Sequence, residues 1–241
     1  MFQMSLRNLL LCGFFILLTG CQNNKKSSVP TLNSSQNMKV DTLSQKRNKT
    51  TKNSTESKPK IKPVPADDVV NFLTEYGKEN PETRVLIETN LGDITVELSE
   101  ETHLYRASFI YLVKNKYFDD TYFHRSIPGF IIQGGNSDNR STQKLRYRTG
   151  NYMLPPQYAE SPPHAIGTLS AAKQWEGNPQ DLHTPYEFFI IITPADHLNG
   201  EHTVFGIVID GMDVVRKINA LEIDSREWPH QNVYIDMKVI D

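Results

Sequence analysis

The pattern of apolar and polar positions changes twice along the chain and divides it into three segments. A mostly apolar run covers residues 9–18, and a run rich in Ser, Thr, Asn and Lys follows over residues 22–65. Periodic apolar positions begin only near Asp67. Because a core needs such periodicity, we expect an N-terminal address, a linker and one folded domain.

The folded segment opens with a predicted helix and a predicted hairpin. Asp67 and Asp68 can cap a short helix over residues 69–76, which ends before Pro81. Residues 85–88 and 94–98 then alternate as strands do, and the polar residues between them form a turn.

The remainder of the chain alternates between two helical patterns and many short apolar runs. Residues 103–115 and 214–220 carry apolar positions at helical spacing. The short runs, separated by Gly and Pro, lie at residues 129–133, 167–171, 188–192, 204–209 and 233–239. Short strands with few helices are typical of a closed β-barrel capped by helices.

Cysteine usage narrows the chemistry of the folded part. The chain has 241 residues, of which 38% are apolar and 22% charged, an ordinary balance for a globular protein. Its two cysteines are Cys12 and Cys21. The thiol-free remainder excludes a disulfide framework, a thiolate zinc site and a catalytic cysteine there.

The N-terminus has the features of a secretory signal. Arg7 precedes the apolar run, which is too short to favour a spanning helix. The run ends in Leu18-Thr19-Gly20-Cys21, which resembles the lipobox of bacterial lipoproteins. Residues 1–20 would then be the signal peptide, and lipid on Cys21 would anchor the chain to a membrane of the bacterial cell envelope. An ordinary signal peptide with a coincidental cysteine is the alternative.

The net charge of −2 hides two segments of opposite sign. Residues 22–66 carry ten Lys/Arg and two Asp/Glu, whereas residues 67–241 carry fifteen and twenty-six. With few apolar residues to bury, residues 21–66 are interpreted as a disordered basic tether. Its lysines could contact anionic head groups or simply keep it soluble. The acidic domain argues against a nucleic-acid partner.

Residues 123–135, Phe-His-Arg-Ser-Ile-Pro-Gly-Phe-Ile-Ile-Gln-Gly-Gly, resemble the central signature of the cyclophilin family of peptidyl-prolyl isomerases. Segments at residues 89–94, 167–172, 187–190 and 198–206 resemble other family motifs in the proper order. The resemblance covers roughly residues 83–241 and leaves residues 67–82 as a short helical lead-in. It implies a mainly β fold, a closed eight-stranded antiparallel barrel capped by two α-helices.

The reaction that this resemblance implies makes few demands on residue type. Rotation about an X-Pro bond crosses a barrier of about 18–20 kcal/mol without breaking a covalent bond. No cofactor or metal is required. An apolar pocket must grip the proline ring, and a donor must favour the twisted imide over the planar one. Arginine suits the second task because it stays protonated and its fork is rigid.

The resemblance assigns a role to twelve positions of the domain. Arg125 would be the catalytic arginine, and Gln133 would bind the substrate backbone and help to orient Arg125. The predicted substrate-binding residues are Phe130, Ile131, Phe189, Leu198, His202, His124, Glu187, His197, Ala172 and Lys173. The expected partners are proline-containing polypeptides that fold in the envelope, and a monomer is expected.

Three departures from the family pattern affect the expected activity. Glu187 replaces a glutamine and, when ionised, can only accept hydrogen bonds. His197 stands where the family commonly has Trp or Phe, so we expect weak binding of the drug cyclosporin. The segment between Ala172 and Glu187 is longer than usual and contains Trp175, which would cover an extended substrate or pack the loop.

Other functions fit the sequence less well. A tethered module that binds proline-containing peptides with little turnover is the main alternative, motivated by Glu187 and His197. A metal enzyme using Asp196, His197 and His202 has no recognised ligand spacing. The basic stretch at residues 144–148 is interpreted as a solvated strand or loop rather than a nucleic-acid site.

Overall fold

The computed structural model describes residues 61–240, and an eight-stranded antiparallel barrel forms the centre of this part of the chain. The strands are β1 (Arg84–Thr89), β2 (Gly92–Leu98), β3 (Thr121–Ile127), β4 (Ile131–Asn136), β5 (Thr168–Lys173), β6 (His183–Ile191), β7 (Val204–Asp210) and β8 (Tyr234–Val239). Around the barrel they follow the order β1-β2-β7-β5-β6-β4-β3-β8, and β8 pairs with β1. The predicted barrel is therefore confirmed.

Four α-helices and one 3-10 turn accompany the barrel. They are α1 (Val69–Glu79), α2 (His103–Lys114), α3 (Arg140–Thr149) and α4 (Met212–Asn219), with the 3-10 turn at Asp196–Leu198. Helices α2 and α4 are the two that the sequence pattern predicted as caps. Phe109 of α2 contacts the rings of Phe118, Phe188 and Phe205. Val214, Val215 and Ile218 of α4 are buried as well.

The last four residues of β6, 188–191, are apolar on both faces of the strand because each face packs against a different apolar cluster. Phe188 and Ile190 belong to the main core inside the barrel. Phe189 and Ile191, which alternate with them, form a second apolar cluster on the outer face. Successive side chains of a strand point to opposite faces, so one strand lines the core and also the candidate site.

The ordered domain begins before the boundary predicted at residue 67. Val64 is only 1% exposed, and its N–H donates to the carbonyl of Thr149 at 2.9 Å. The hydroxyl of Tyr111 donates to the carbonyl of Lys62 at 2.8 Å. Helix α1 then packs on α2, where a Cβ at Gly77 would lie 3.1 Å from Cβ of Ala107. The predicted boundary therefore falls inside a packed segment.

Helix α3 corrects the interpretation of residues 144–148 as a strand or loop. Ten residues from Arg140 to Thr149 are helical, and the helix ends at Gly150 with φ at 121°. Thr142 and Thr149 are its buried residues. The sequence pattern concealed the helix because almost nothing on it is apolar.

The predicted signal peptide, the lipid-bearing Cys21 and the tether as far as residue 60 lie outside the described residues. Within residues 61–240, no helix is both long and apolar enough to span a membrane.

Candidate functional site

The candidate site is built on a row of side chains that crosses three neighbouring strands. Arg125 on β3 pairs in register with Gln133 on β4, and Gln133 pairs in register with Phe189 on β6. Phe189 belongs to the outer apolar cluster. Because residues in register on adjacent strands lie side by side, the barrel places a cation, an amide and an aromatic ring next to one another.

A β-bulge in β3 brings His124 to the same face as Arg125. The β3–β4 register shifts between Phe123 and Arg125, so that Phe123 pairs with Gly134 and Arg125 with Gln133. One extra residue, His124, is thereby inserted into β3. A bulge changes the direction of the side chains around it. Here it turns the consecutive polar residues His124 and Arg125 toward one site.

Arg125 is held by two side chains. Its Nε donates to Oε2 of Glu227 at 2.6 Å, and its Nη1 donates to Oε1 of Gln133 at 3.4 Å. The side chains of Arg125 and Glu227 remain 41% and 38% exposed. The guanidinium is therefore oriented but still accessible.

Glu187 orients Gln133 rather than Arg125. Nε2 of Gln133 donates to Oε2 of Glu187 at 2.9 Å, and Nδ2 of Asn136 donates to Oε1 at 2.8 Å. Since an ionised Glu187 only accepts, the amide of Gln133 must turn its oxygen toward Arg125. Nε2 of His124 lies 3.6 Å from Oε2 of Glu187. Burial favours the neutral acid, but His124 and Gln133 outweigh it and lower the pKa of Glu187.

The residues predicted to hold the proline ring lie beside this polar row, in or against the outer apolar cluster. That cluster is formed by Ile131, Ala172, Phe189, Ile191 and Ala195, with Phe130 and Leu198 packed against it. The ring of His202 meets Phe189 edge to face at 5.2 Å. His197 stacks on Phe130 at 5.6 Å, so it adds a polar ring to the rim.

Trp175 and Lys173 lie next to His202, beside the outer apolar cluster. The Trp175 ring is 67% exposed and meets the edge of His202 at 5.6 Å, so it does not pack inside its loop. Nζ of Lys173 lies 4.6 Å from the centre of that ring and pairs with Asp181 at 2.6 Å. Strand β5 ends at Lys173 and β6 begins at His183, so the loop that contains Trp175 consists of the nine residues 174–182.

Two histidines behind Phe189 have pKa values lowered by burial. Nδ1 of His202 donates a hydrogen bond to the carbonyl of Ala171 at 2.9 Å, and burial lowers the pKa of His202. His183 stacks on His202 at 5.9 Å, and burial lowers the pKa of His183 to about 4. The Tyr105 hydroxyl and Nδ1 of His183 are also hydrogen-bonded.

Two residues that support the site were missed in the sequence. Asn219, at the end of α4, donates to the carbonyls of Ile127 and Ile131 at 2.9 and 3.1 Å. Its Oδ1 accepts from the N–H of Gly129 at 2.8 Å, so one side chain fixes the β3–β4 turn that carries Phe130. Glu227 lies 102 positions from Arg125, and no local motif connects the two.

The turn that presents Glu227 is fixed by hydrogen bonds. Oδ1 of Asp224 accepts from the N–H groups of Arg226 and Trp228 at 2.8 and 2.9 Å. The carbonyl of Glu227 accepts from the N–H of Ser126 at 2.8 Å, which joins the turn to β3. Glu227 itself has φ at 66°, in the left-handed region.

The sequence profile described as "Cyclophilin type peptidyl-prolyl cis-trans isomerase/CLD" matches residues 84–239, which cover the whole barrel. The chain belongs to the cyclophilin family. Peptidyl-prolyl cis-trans isomerase-like 2 of Rhizopus delemar is 35% identical over 170 residues. Those residues make up 70% of this chain but only 30% of that protein.

Two further relatives are covered over more of their own length. A peptidyl-prolyl cis-trans isomerase of Acinetobacter baylyi is 34% identical over 162 residues, which are 63% of this cyclophilin and 79% of that protein. A cyclophilin-type isomerase of Cryptosporidium parvum, crystallised in the presence of the dipeptide Ala-Pro, superposes with a TM-score of 0.54 at 27% identity. The match covers 66% of this chain and 99% of that one.

One groove of the cyclophilin domain lies away from the predicted site. Its volume is about 570 Å³, and it runs between the end of β2, residues 162–165 and β7. None of the predicted site residues lines it. Within residues 61–240, no group of three or more His, Cys, Asp or Glu side chains is placed to hold a metal ion.

Proposed function

We propose that this chain is a peptidyl-prolyl cis-trans isomerase in which Arg125 stabilises the twisted imide above an apolar proline pocket. The observation that carries the proposal is the row of Arg125, Gln133 and Phe189, which sets a permanent cation beside the outer apolar cluster. Membership of the cyclophilin family and the names of the relatives support it.

The mechanism follows from what changes during rotation. Twisting the X-Pro bond breaks amide resonance and leaves a lone pair on the imide nitrogen. A guanidinium that donates to that nitrogen gains strength only in the twisted state, and such differential contacts are what lower a barrier. Each 1.36 kcal/mol gained in this way raises the rate tenfold. Glu227 and Gln133 keep Arg125 in the geometry that this contact requires.

The pocket residues hold the part of the substrate that does not turn. Phe130, Ile131, Phe189 and Leu198 accept the proline ring, and His202 forms the wall behind Phe189. The second hydrogen on Nε2 of Gln133 is the donor for the peptide backbone, since the first is used by Glu187. Ala172 and Lys173, at the end of β5, would bind the extended chain of the substrate through their backbone, since the Lys173 side chain is buried and paired with Asp181.

The test is the isomerisation rate of an Ala-X-Pro-Phe peptide, measured with the chain from residue 22 onward. We expect rapid turnover by the parent and at least a tenfold lower kcat/KM for Phe189→Ala, since truncation removes much of the pocket. Ile207→Ala is the control, because Ile207 is a 42% exposed apolar residue outside the cluster. Equal rates for the two variants would contradict the proposed pocket.

The alternative function, a module that binds proline-containing peptides without turnover, has one observation in its favour. The ion pair with Glu227 already occupies Nε of Arg125, which could lower the charge available to a substrate. Saturable binding of the same peptide to a folded parent that gives no rate enhancement would select this alternative.

We also propose that the chain is a lipid-anchored monomer of the bacterial cell envelope that acts on proline-containing polypeptides. The Leu-Thr-Gly-Cys sequence ending at Cys21 and the basic tether support this. Uncatalysed isomerisation takes tens of seconds, so exported chains would fold faster near such an enzyme. Radiolabelled palmitate should label the full chain but not Cys21→Ser, and equal labelling would contradict the anchor.

A further inference from the structure

Helix α3 presents a basic stripe to the solvent. The helix carries four cations, at Arg140, Lys144, Arg146 and Arg148, and no acidic residue. The stripe consists of the exposed residues Arg140, Gln143, Lys144, Tyr147 and Arg148. These positions follow the i, i+3, i+4, i+7, i+8 spacing of a single helix face. The remaining cation, Arg146, is turned inward, where it donates to the hydroxyl of Tyr117 at 3.2 Å.

The stripe has no partner within the described part of the chain. No hydrogen bond or ion pair joins the side chain of Arg140, Lys144 or Arg148 to another described residue. Elsewhere on this domain, exposed lysines pair with acids, as Lys217 does with Asp213 and Lys238 with Glu88. The three cations of the stripe therefore stay unneutralised on a domain that is acidic overall.

An aromatic ring stands among these cations. Tyr147 is 83% exposed, and with its neighbours on the stripe it lines a groove of about 440 Å³. Tyrosine combines an apolar ring with a polar tip, a combination suited to the boundary between water and lipid. Leaving the ring in water stabilises nothing within the domain.

The stripe lies beside the point where the basic tether enters the domain. The N–H of Val64 donates to the carbonyl of Thr149, the last residue of α3. A Cβ at Gly150 would lie only 2.2 Å from the carbonyl oxygen of Val64, so the two segments are in direct contact. Val64 belongs to the basic segment of residues 22–66, so that segment joins the domain at the C-terminal end of α3.

We propose that the α3 stripe docks the domain on anionic phospholipid head groups. Phosphates would bind Arg140, Lys144 and Arg148, and Tyr147 would insert at the level of the head groups. Charge complementarity calls for an anionic partner, and the exposed Tyr147 together with the adjoining tether favours a lipid surface over a soluble acidic one. This choice rests on the proposed envelope location. The acidic remainder of the domain would be repelled, so docking would fix the orientation of the barrel.

The test is vesicle co-sedimentation of the chain from residue 22, which lacks Cys21 and therefore any lipid anchor. Each basic residue near an anionic surface strengthens binding by a factor of about five. We expect Arg140→Gln/Lys144→Gln/Arg148→Gln to bind vesicles of phosphatidylglycerol and phosphatidylcholine about 100-fold more weakly than the parent. Tyr147→Ala should also weaken binding to these vesicles. The parent and both variants should fail to bind vesicles of pure phosphatidylcholine.

The control variant, Arg216→Gln/Lys217→Gln/Lys238→Gln, loses the same charge from α4 and β8. We expect it to bind within about threefold of the parent. Glutamine is a good helix former, and both variants should keep the parental melting temperature and peptide isomerisation rate. Failure of isomerisation in all three proteins would count against the proposed function and would leave the docking result intact.

Two outcomes would overturn the proposal. Equal binding by the α3 variant and the control would show that the tether alone senses the surface. Binding of polyglutamate but not of vesicles, lost in the α3 variant only, would assign the stripe to an acidic polypeptide instead.

Discussion

Substitution of Glu227 tests how Arg125 is positioned. Alanine and glycine both remove the carboxylate, but they differ in how well they fit the backbone conformation at this position. Glu227→Ala and Glu227→Gly both abolish the 2.6 Å contact with Nε of Arg125. The residue has φ at 66°, a conformation that costs a residue with a Cβ about 1–2 kcal/mol but costs glycine little. Glycine should therefore preserve the turn at least as well as alanine.

The expected loss of activity follows from the exposure of the ion pair. Both side chains are roughly two-fifths exposed, so screening holds its contribution to about 1 kcal/mol. If that energy restrains the guanidinium in its productive geometry, kcat should fall about fivefold with KM unchanged. Glu227→Gln keeps an acceptor for Nε and should stay within about twofold of the parent.

The assay combines peptide isomerisation with urea unfolding for the three variants. We expect the Ala and Gly variants to lose equal activity while the Gly variant is the more stable of the two. Parental activity in a folded Glu227→Gly variant would refute the positioning role. A rise in kcat would show instead that Glu227 weakens the field of Arg125.

Three further predictions follow from the packing and the pKa shifts. The pKa of His183 is about 4 in the folded chain and about 6.5 in the unfolded chain. The unfolded chain therefore takes up a proton first as the pH falls, and up to about 3 kcal/mol of the free energy of unfolding is lost between pH 6.5 and pH 4. Urea unfolding at pH 7.5 and 4.5 should show this loss, and His183→Gln should reduce it. Gly135→Ala would set a Cβ 2.5 Å from the Tyr186 carbonyl and should abolish folding by circular dichroism, whereas Gly129→Ala meets nothing within 4 Å and should cost about 1 kcal/mol. Cyclosporin should bind weakly by calorimetry, and His197→Trp should tighten it at least tenfold because a larger apolar ring would face Phe130; unchanged affinity would contradict this.

The sequence revealed most of the strands because their apolar residues alternate or run together. Strand β3 is the exception: its bulge at His124 interrupts the alternation, and the apolar pattern did not predict it as a strand. Helix α3 was not predicted because it has no apolar stripe. Its buried residues are two threonines, and its last residue, Thr149, bonds to Val64. Local patterns report burial, and α3 buries no apolar face of its own.

The same distinction holds for the candidate site: residues within one contiguous motif were predicted, and residues that contact the motif from distant parts of the chain were not. The motif that contains Arg125 and Gln133 is contiguous, so the resemblance could number its residues. Glu227 and Asn219 reach that motif from 102 and 88 positions away, through contacts that only the closed barrel creates. The orientation of the Gln133 amide likewise depends on Glu187 across two strands.

In the proposed mechanism, Arg125 accelerates the rotation of the X-Pro bond and adds little to the affinity for the peptide. Exchange spectroscopy on an Ala-Pro-containing peptide, with the chain from residue 22, measures the rate of isomerisation on the protein and the affinity together. We expect Arg125→Ala to keep the parental affinity within about threefold and to lose at least 100-fold in rate, roughly 2.7 kcal/mol. An unchanged rate in a folded Arg125→Ala variant would contradict the account.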